Sequence, residues 1–359
     1  MKSYLKHFTI TRDFIEYAYK KWLKAEAGHK NEWRVQKEYD SKDTLIDEIY
    51  TEIKNRTVTL RPIHRYNHLE ESNGKIRVLG VESVKQQILD YIVILALDEF
   101  LNKRIGYWQI SGIKNKGAVR YLRKVQGWTK NCKYHVHVDI KQFYPSTSKS
   151  LVYKVLLKYI KNEEILYIAK LLLNSYNFGL ELGSYFSLCM ANLVVSFCYH
   201  ELEEKKNLKH QVWYMDDGYL FGNDPEELTA LVNELSTYLF QNFHLELKAW
   251  KVCLNRRTYR SRTVKHSIFK GEPVDLAGYR ITPTCITLRK NLFRRLLRSY
   301  RRFLKKGGER LARRCCSYWG YLKYTDSLGV RRRYNLDRIM KQCSALISAL
   351  DKRRANEKQ

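Results

Sequence analysis

Two aspartates in a row, Asp216-Asp217, stand between two short apolar runs, Val212-Trp213-Tyr214-Met215 and Gly218-Tyr219-Leu220-Phe221. This pattern reads as strand, two-residue turn, strand: a β-hairpin with an Asp-Asp tip. Upstream, His135-Val136-His137-Val138-Asp139-Ile140 alternates strictly, as a half-buried strand does, and ends on a third aspartate. The stretch between is largely helical in character, as a crossover from strand to strand requires. An isolated Asp-Asp pair is ordinarily a solvated turn. Here the apolar flanks and the upstream Asp139 argue for three carboxylates on adjacent strands.

The charge balance narrows the partner. A formal net charge of +29 with a pI near 9.7 makes a surface that repels itself unless a polyanion neutralises it. Nucleic acid or an anionic membrane is the expected partner, and +29 exceeds what a merely soluble Lys/Arg coat needs. With 44% hydrophobic and 13% aromatic residues the chain is far from disordered in composition, and 359 residues can bury a sizeable core. No run approaches the ~18 apolar residues of a membrane span, and the start, MKSYLKHFTITRDF, lacks the apolar segment of a secretion signal. Eight cysteines are scattered without a CxxC pair or zinc spacing, so reduced thiols in a cytoplasmic setting are expected.

The chain carries no internal repeat and no Pro/Gly-rich linker. Residues 12–27 and 41–55 read as helices, the second capped by Ser41 with Leu45, Ile46, Ile49, Tyr50 and Ile53 at helical spacing. Lys75–Gly80 (KIRVLG) reads as a strand after an Asn73-Gly74 turn, and Val84–Phe100 as one buried helix. Residues 148–174 are expected to be helical, and Leu182-Gly183-Ser184 to be a turn opening a helix that runs to about Lys206. Asp224-Pro225-Glu226-Glu227 caps a further helix. Residues 276–289 read as two short strands around Thr282-Pro283, and the remainder as basic helix.

Three carboxylates on rigid strands suit phosphoryl transfer to a growing 3′ end. That reaction uses two divalent metals about 3.5–4 Å apart, one at the attacking hydroxyl and one at the leaving pyrophosphate. Magnesium takes such hard oxygen ligands. The strings themselves, YMDD at Tyr214–Asp217 and DIKQFYPS at Asp139–Ser146, resemble the palm motifs of reverse transcriptases, and their order and spacing make the likeness specific.

The resemblance implies an α+β right-hand polymerase with fingers, an antiparallel palm sheet carrying the catalytic aspartates, and a basic helical thumb. It implies Asp139, Asp216 and Asp217 as catalytic metal ligands, with Ile140 joining them, and two Mg2+ ions for which Mn2+ can substitute. Phe143 and Tyr144 stand where the family keeps an aromatic under the incoming sugar; such a ring would exclude a 2′-hydroxyl, although one of the two is expected in the core. Lys75 and Arg77 resemble the fingers cations on the triphosphate, a solvated edge strand being the alternative. Lys251, in LELKAWK, matches a lysine near the pyrophosphate and is a candidate general acid. Leu276-Ala277-Gly278-Tyr279 looks like the hairpin that supports the primer end.

Within that family the chain resembles the reverse transcriptases of diversity-generating retroelements, related to those of group II introns. Four segments carry this likeness: the lead-in from Phe14 to Thr57, ISGIKNKGAVRYLRK, YMDDGYLFGNDPEEL, and LAGYRITPTCITLRK followed by SYWGYLKYTDS. In LGSYFS, Leu182 precedes Gly183 where group II intron and retroviral enzymes generally have Gln. An aliphatic residue there removes a polar partner for the base pair, in keeping with a family that copies adenines unfaithfully. Ser187 is followed by Leu188, a departure from the family's Gln. The alternatives are a bacterial antiviral defence enzyme working with a partner non-coding RNA, and a non-catalytic RNA-binding or splicing factor. The three aspartates argue against the last.

The expected division is a basic helical extension over 1–60, fingers over 61–134, palm over 135–288 (with fingers helices at 148–174) and thumb over 289–359. In Arg289–Arg314, read as a helix, Arg294, Arg295, Arg298, Arg301, Arg302, Lys305 and Lys306 form a wide cationic stripe beside Leu292, Phe293, Leu296, Leu297, Tyr300 and Phe303. Such a stripe tracks phosphates without reading bases; a membrane-surface helix is the competing reading. The expected partners are a template RNA, a primer/cDNA duplex, dNTPs and a small basic accessory protein or non-coding RNA, with no membrane, in a bacterial cytoplasm.

Overall fold

The computed structural model describes residues 3–26, 41–70, 74–255, 258–259, 268–269 and 271–356. The expected Asn73 of the first turn, Ala27 and residues 28–40 of the basic lead-in lie outside them. In chain order the first elements are α1 (Arg12–Ala25), α2 (Lys42–Asn55), β1 (His64–Glu70), β2 (Lys75–Val81), α3 (Val84–Ala96), α4 (Asp98–Arg104), α5 (Ala118–Asn131) and β3 (Tyr134–Asp139). After a single helical turn at Phe143–Ser146 come α6 (Lys149–Tyr159), α7 (Glu163–Ser175), α8 (Tyr185–His200), β4 (Gln211–Tyr214), β5 (Asp217–Gly222) and α9 (Pro225–Phe243). The chain ends in β6 (Val252–Leu254), β7 (Thr258–Tyr259), β8 (Ile268–Phe269), β9 (Val274–Leu276), β10 (Tyr279–Ile281), β11 (Ile286–Leu288), α10 (Lys290–Lys306), α11 (Glu309–Leu322), α12 (Leu328–Arg333) and α13 (Leu336–Asn356). Helices and antiparallel sheets are mixed, so the fold is α+β as expected.

Local chemistry explains where the expectation of longer elements fails. The 148–174 run is two helices, because Asn162 starts a new one: its Oδ1 accepts from the Ile165 amide at 2.9 Å. Val84–Phe100 breaks at Leu97, where Asp98 and Glu99 open a short helix that ends on Lys103 and Arg104, a charge order matched to the helix dipole. Arg289–Arg314 divides at Gly307-Gly308, both with positive φ (60° and 92°), into α10 and α11. Between 274 and 288 there are three strands, with Thr282-Pro283 between the second and third. Ser41 holds the cap position of α2, but its side chain makes no capping bond, whereas Asp224 Oδ1 accepts from the Glu226 amide at 2.8 Å as the sequence suggests.

The chain divides into two compact units. The first comprises Met1–Asn115, Val138–Gly218 and Thr229–Trp250. Its core is built on α3, which buries Ile88, Leu89, Ile92 and Val93, and on α8, buried nearly all round by Phe186, Met190, Ala191, Val194 and Val195. The antiparallel β1–β2 hairpin belongs to it, and β1 pairs with β2 along its whole length.

The second unit comprises Lys116–His137, Tyr219–Leu228 and Lys251–Gln359. Its core gathers Leu276, Tyr279, Ile281 and Ile286 with Leu296, Tyr300, Phe303, Ala312 and Cys315. On α10 the charged stripe is exposed as expected at Arg294, Arg298, Arg301, Arg302 and Lys305. Only Leu296, Tyr300 and Phe303 of the apolar stripe are fully buried, and Leu292, Phe293 and Leu297 are half-buried. All eight cysteines are free thiols. No described helix is long and apolar enough to cross a membrane.

Candidate active site

Strands β4-β5-β3-β6 lie in that order in one sheet. In β3, Val136 and Val138 are fully buried while His137 is exposed and Asp139 half-buried. The alternation fails at His135, which is buried because Asn255 Oδ1 meets its Nδ1 at 2.6 Å. Burial pushes this imidazole down to about 4, so it is neutral at ordinary pH.

The hairpin turns one residue earlier than expected. Met215 and Asp216 form the turn, Met215 in the left-handed region at φ 57°, and Asp217 is already the first residue of β5. Gly218 permits the close packing behind it: a Cβ there would fall 2.7 Å from the Trp213 ring and 2.8 Å from Val138 Cγ2. The Ile140 amide donates to the Asp216 carbonyl at 3.3 Å, tying the end of β3 to the tip.

These placements create a charge problem. Burial, then the charge of Asp217, pushes Asp216 up to about 6, and Asp139 adds to the effect. Ligand atoms of His137, Asp139 and Asp217 all lie within 4.8 Å of one another. Asp139 Oδ1 is buried without a hydrogen-bond partner, and Oδ2 accepts from Lys248 Nζ at 2.7 Å. A half-buried, partly orphaned carboxylate cluster of this kind fits hard divalent cations. His137 was not anticipated as a possible ligand; it shares a strand face with Asp139 at a spacing of i, i+2.

Lys248 was also missed. Residues 246–248 run beside 139–141: the Lys141 amide donates to the Glu246 carbonyl and the Lys248 amide to the Asp139 carbonyl, both at 2.8 Å. That register sets the Lys248 side chain on Asp139. Lys251, the lysine singled out from the sequence, pairs with Glu272 at 2.5 Å.

Of the two aromatics, Phe143 is 3% exposed and belongs to the core. Tyr144 is half-buried and feels the charge of Asp216, and burial pushes its hydroxyl well up. Its carbonyl accepts from the Leu180 amide at 2.8 Å. Leu182 is half-buried and Gly183 exposed. Their turn rests on the end of β2 through a Gly80 amide to Leu182 carbonyl bond of 2.7 Å. Arg65 of β1 fixes the neighbouring Glu181 with an ion pair at 2.6 Å. Lys75 and Arg77 are exposed on β2.

The model of the reverse transcriptase (RNA-dependent DNA polymerase) family matches residues 67–281, well over half of the chain, and this span contains Asp139, Asp216, Asp217 and Leu182. Among curated proteins nothing matches.

Proposed function

The chain belongs to the reverse transcriptase family, and within it we propose a cDNA-synthesising enzyme of a diversity-generating retroelement, error-prone at template adenines. As a family member it is an RNA-directed DNA polymerase, a nucleotidyltransferase that takes an RNA template and dNTPs. The finer reading rests on one observation: Leu182, an aliphatic side chain, stands at the turn where accurate relatives carry a glutamine. A mispair facing it leaves no protein hydrogen bond unmade.

Asp139, Asp216 and Asp217 would hold two Mg2+ ions, with the Ile140 backbone beside them. Bound there, the metals would activate the primer hydroxyl and stabilise the departing pyrophosphate. The residues of the chain do the rest. Tyr144 lies under the sugar and excludes a 2′-hydroxyl; Leu182 and Gly183 flank the nascent base pair; Lys75 and Arg77 grip the triphosphate; Lys251 delivers a proton to the pyrophosphate. Residues 1–60 then form a basic lead-in, 61–134 the fingers, 135–288 the palm and 289–359 a thumb. The exposed cations of α10 follow the phosphates of the duplex. A structured RNA and a small basic accessory protein complete the assembly.

One departure weighs against that reading: Leu188 stands where the diversity-generating family has Gln. The second reading is an antiviral defence enzyme that makes DNA from a partner non-coding RNA. Sequencing cDNA made at the native locus separates the two. Adenine-directed substitutions in a template/variable repeat pair support diversification, and faithful copies of an unrelated non-coding RNA overturn it.

A further inference from the structure

Against the Leu182-Gly183 turn lies a pair of buried carboxyls that the chemistry above does not use. Glu82, just past β2, is 4% exposed and Asp90, in α3, is 0% exposed. Asp90 Oδ2 accepts from the Ser184 hydroxyl and from the Phe186 amide, each at 2.9 Å. Asp90 Oδ1 is buried with no hydrogen-bond partner, and Glu82 lies near enough for the charge of Asp90 to act on its carboxyl. Two neighbouring buried carboxyls, one with an orphaned oxygen, are relieved when one of them carries a proton. Burial, then the charge of Asp90, pushes Glu82 far up, whereas the donors on Asp90 restrain its rise, so Glu82 is the proton carrier.

Ser184 links this pair to the turn. With its proton given to Asp90, its oxygen accepts from the Ser187 amide at 3.1 Å, capping α8, and meets the Tyr176 hydroxyl at 2.9 Å. Gln86 Nε2 donates to Glu82 Oε1 at 3.2 Å and to Ser175 at 2.9 Å. The other ionisable groups around the pair are Tyr91, Tyr176, Tyr185, Cys189 and Glu181, the last paired with Arg65. Burial pushes the three tyrosines and the thiol up, so on the alkaline side the proton on Glu82 leaves before theirs.

We propose that Glu82 and Asp90 are positioning residues for the nucleotide turn: sharing one proton, they hold Ser184 and through it the Leu182-Gly183 backbone, and loss of that proton weakens dNTP binding. Two buried anions side by side repel, and the Ser184 hydroxyl then has a single proton to give to two carboxylates. The proposal rests on the reading of Leu182 and Gly183 as nucleotide contacts.

The test uses the full chain with Glu82→Gln and, as a second variant, Asp90→Asn. Either amide keeps a donor between the two side chains and has no proton to lose. For each protein two quantities are followed from neutral to alkaline pH: the KM for dNTP, and the hydrogen-exchange protection of the Phe186 and Ser187 amides, compared between proteins at each pH. The parent KM should rise about tenfold, the scale of one lost hydrogen bond, as those amides lose protection. Both changes should be flattened in whichever variants fold. Parent and variants losing protection together would overturn the shared proton. Protection lost in the parent alone, with KM flat in all, would leave the pair intact but remove Leu182 and Gly183 from the nucleotide site.

Discussion

The backbone amide of Gly80 donates to the carbonyl of Leu182 at 2.7 Å, which joins the end of the β1–β2 hairpin to the Leu182-Gly183 turn without any side chain. Gly183 makes that approach possible. Its φ is +112°, and a Cβ there would lie 2.4 Å from the Gly80 carbonyl oxygen. Gly183→Ala must therefore separate the two backbones. We expect a loss of more than about 1 kcal/mol of stability and a rise in KM for dNTP. Thermal denaturation and primer extension on one template measure both, and an alanine variant with parental KM would place this turn away from the nucleotide.

Asp216→Asn tests the chemistry. The side chain sits in the turn and points its charge into a cluster that already repels it, so the fold does not depend on the carboxylate. The variant should keep its melting temperature and RNA affinity while primer extension falls to background. Appreciable extension by the purified variant would dismiss Asp216 as a metal ligand.

How much of this was legible in the residues depended on range. The three aspartates stand out because Asp139 ends a strand, Asp217 begins one and Asp216 sits in the turn between two apolar runs, a signal contained in a few neighbours. The choice of Phe143 for the core over Tyr144 needed the fold, since both are aromatic and adjacent. Strand β1 escaped notice because its partly solvated residues, His64 to Leu69, carry no one-sided apolar pattern. Lys248 on Asp139 and Ser184 on Asp90 are products of long-range pairing: nothing within LELKAWK says which lysine will face Asp139.

The two lysines of that segment should separate by function. Lys248 occupies Asp139 Oδ2 in a partly exposed ion pair, a kind that adds at most about 1 kcal/mol to stability. Lys248→Met should leave folding nearly unchanged and lower the Mg2+ concentration needed for half-maximal synthesis, since a competing cation has gone. Lys251→Met should instead reduce the maximal rate with the Mg2+ requirement unaltered. Identical metal titrations for the parent and Lys248→Met would show that the ion pair does not compete with Mg2+.

Tyr144 has the burial and the neighbour expected of a sugar gate: it is half-buried and close enough to Asp216 to sense its charge. Tyr144→Val should admit ribonucleotides at least about tenfold more readily relative to deoxynucleotides, the scale of relieving one steric exclusion in a pocket. Competing rNTP and dNTP incorporation on a single template gives the ratio. An unchanged ratio would assign the ring to packing against the Leu180 segment.

Leu182 carries the subfamily reading, and its backbone is already committed to Gly80, so only the side chain is free to act on the base pair. A leucine supplies packing without a hydrogen bond; a mismatch opposite it then escapes the penalty of a buried polar group left unpaired, about 1–3 kcal/mol. That penalty corresponds to roughly ten- to hundredfold in discrimination. Leu182→Gln should therefore lower misincorporation, most visibly at template adenine, with a smaller effect on the overall rate. Deep sequencing of cDNA made by both proteins from the same RNA provides the comparison. A parent enzyme that copies adenine as accurately as the other bases would remove the diversity-generating reading and leave the defence enzyme as the better account of the same fold.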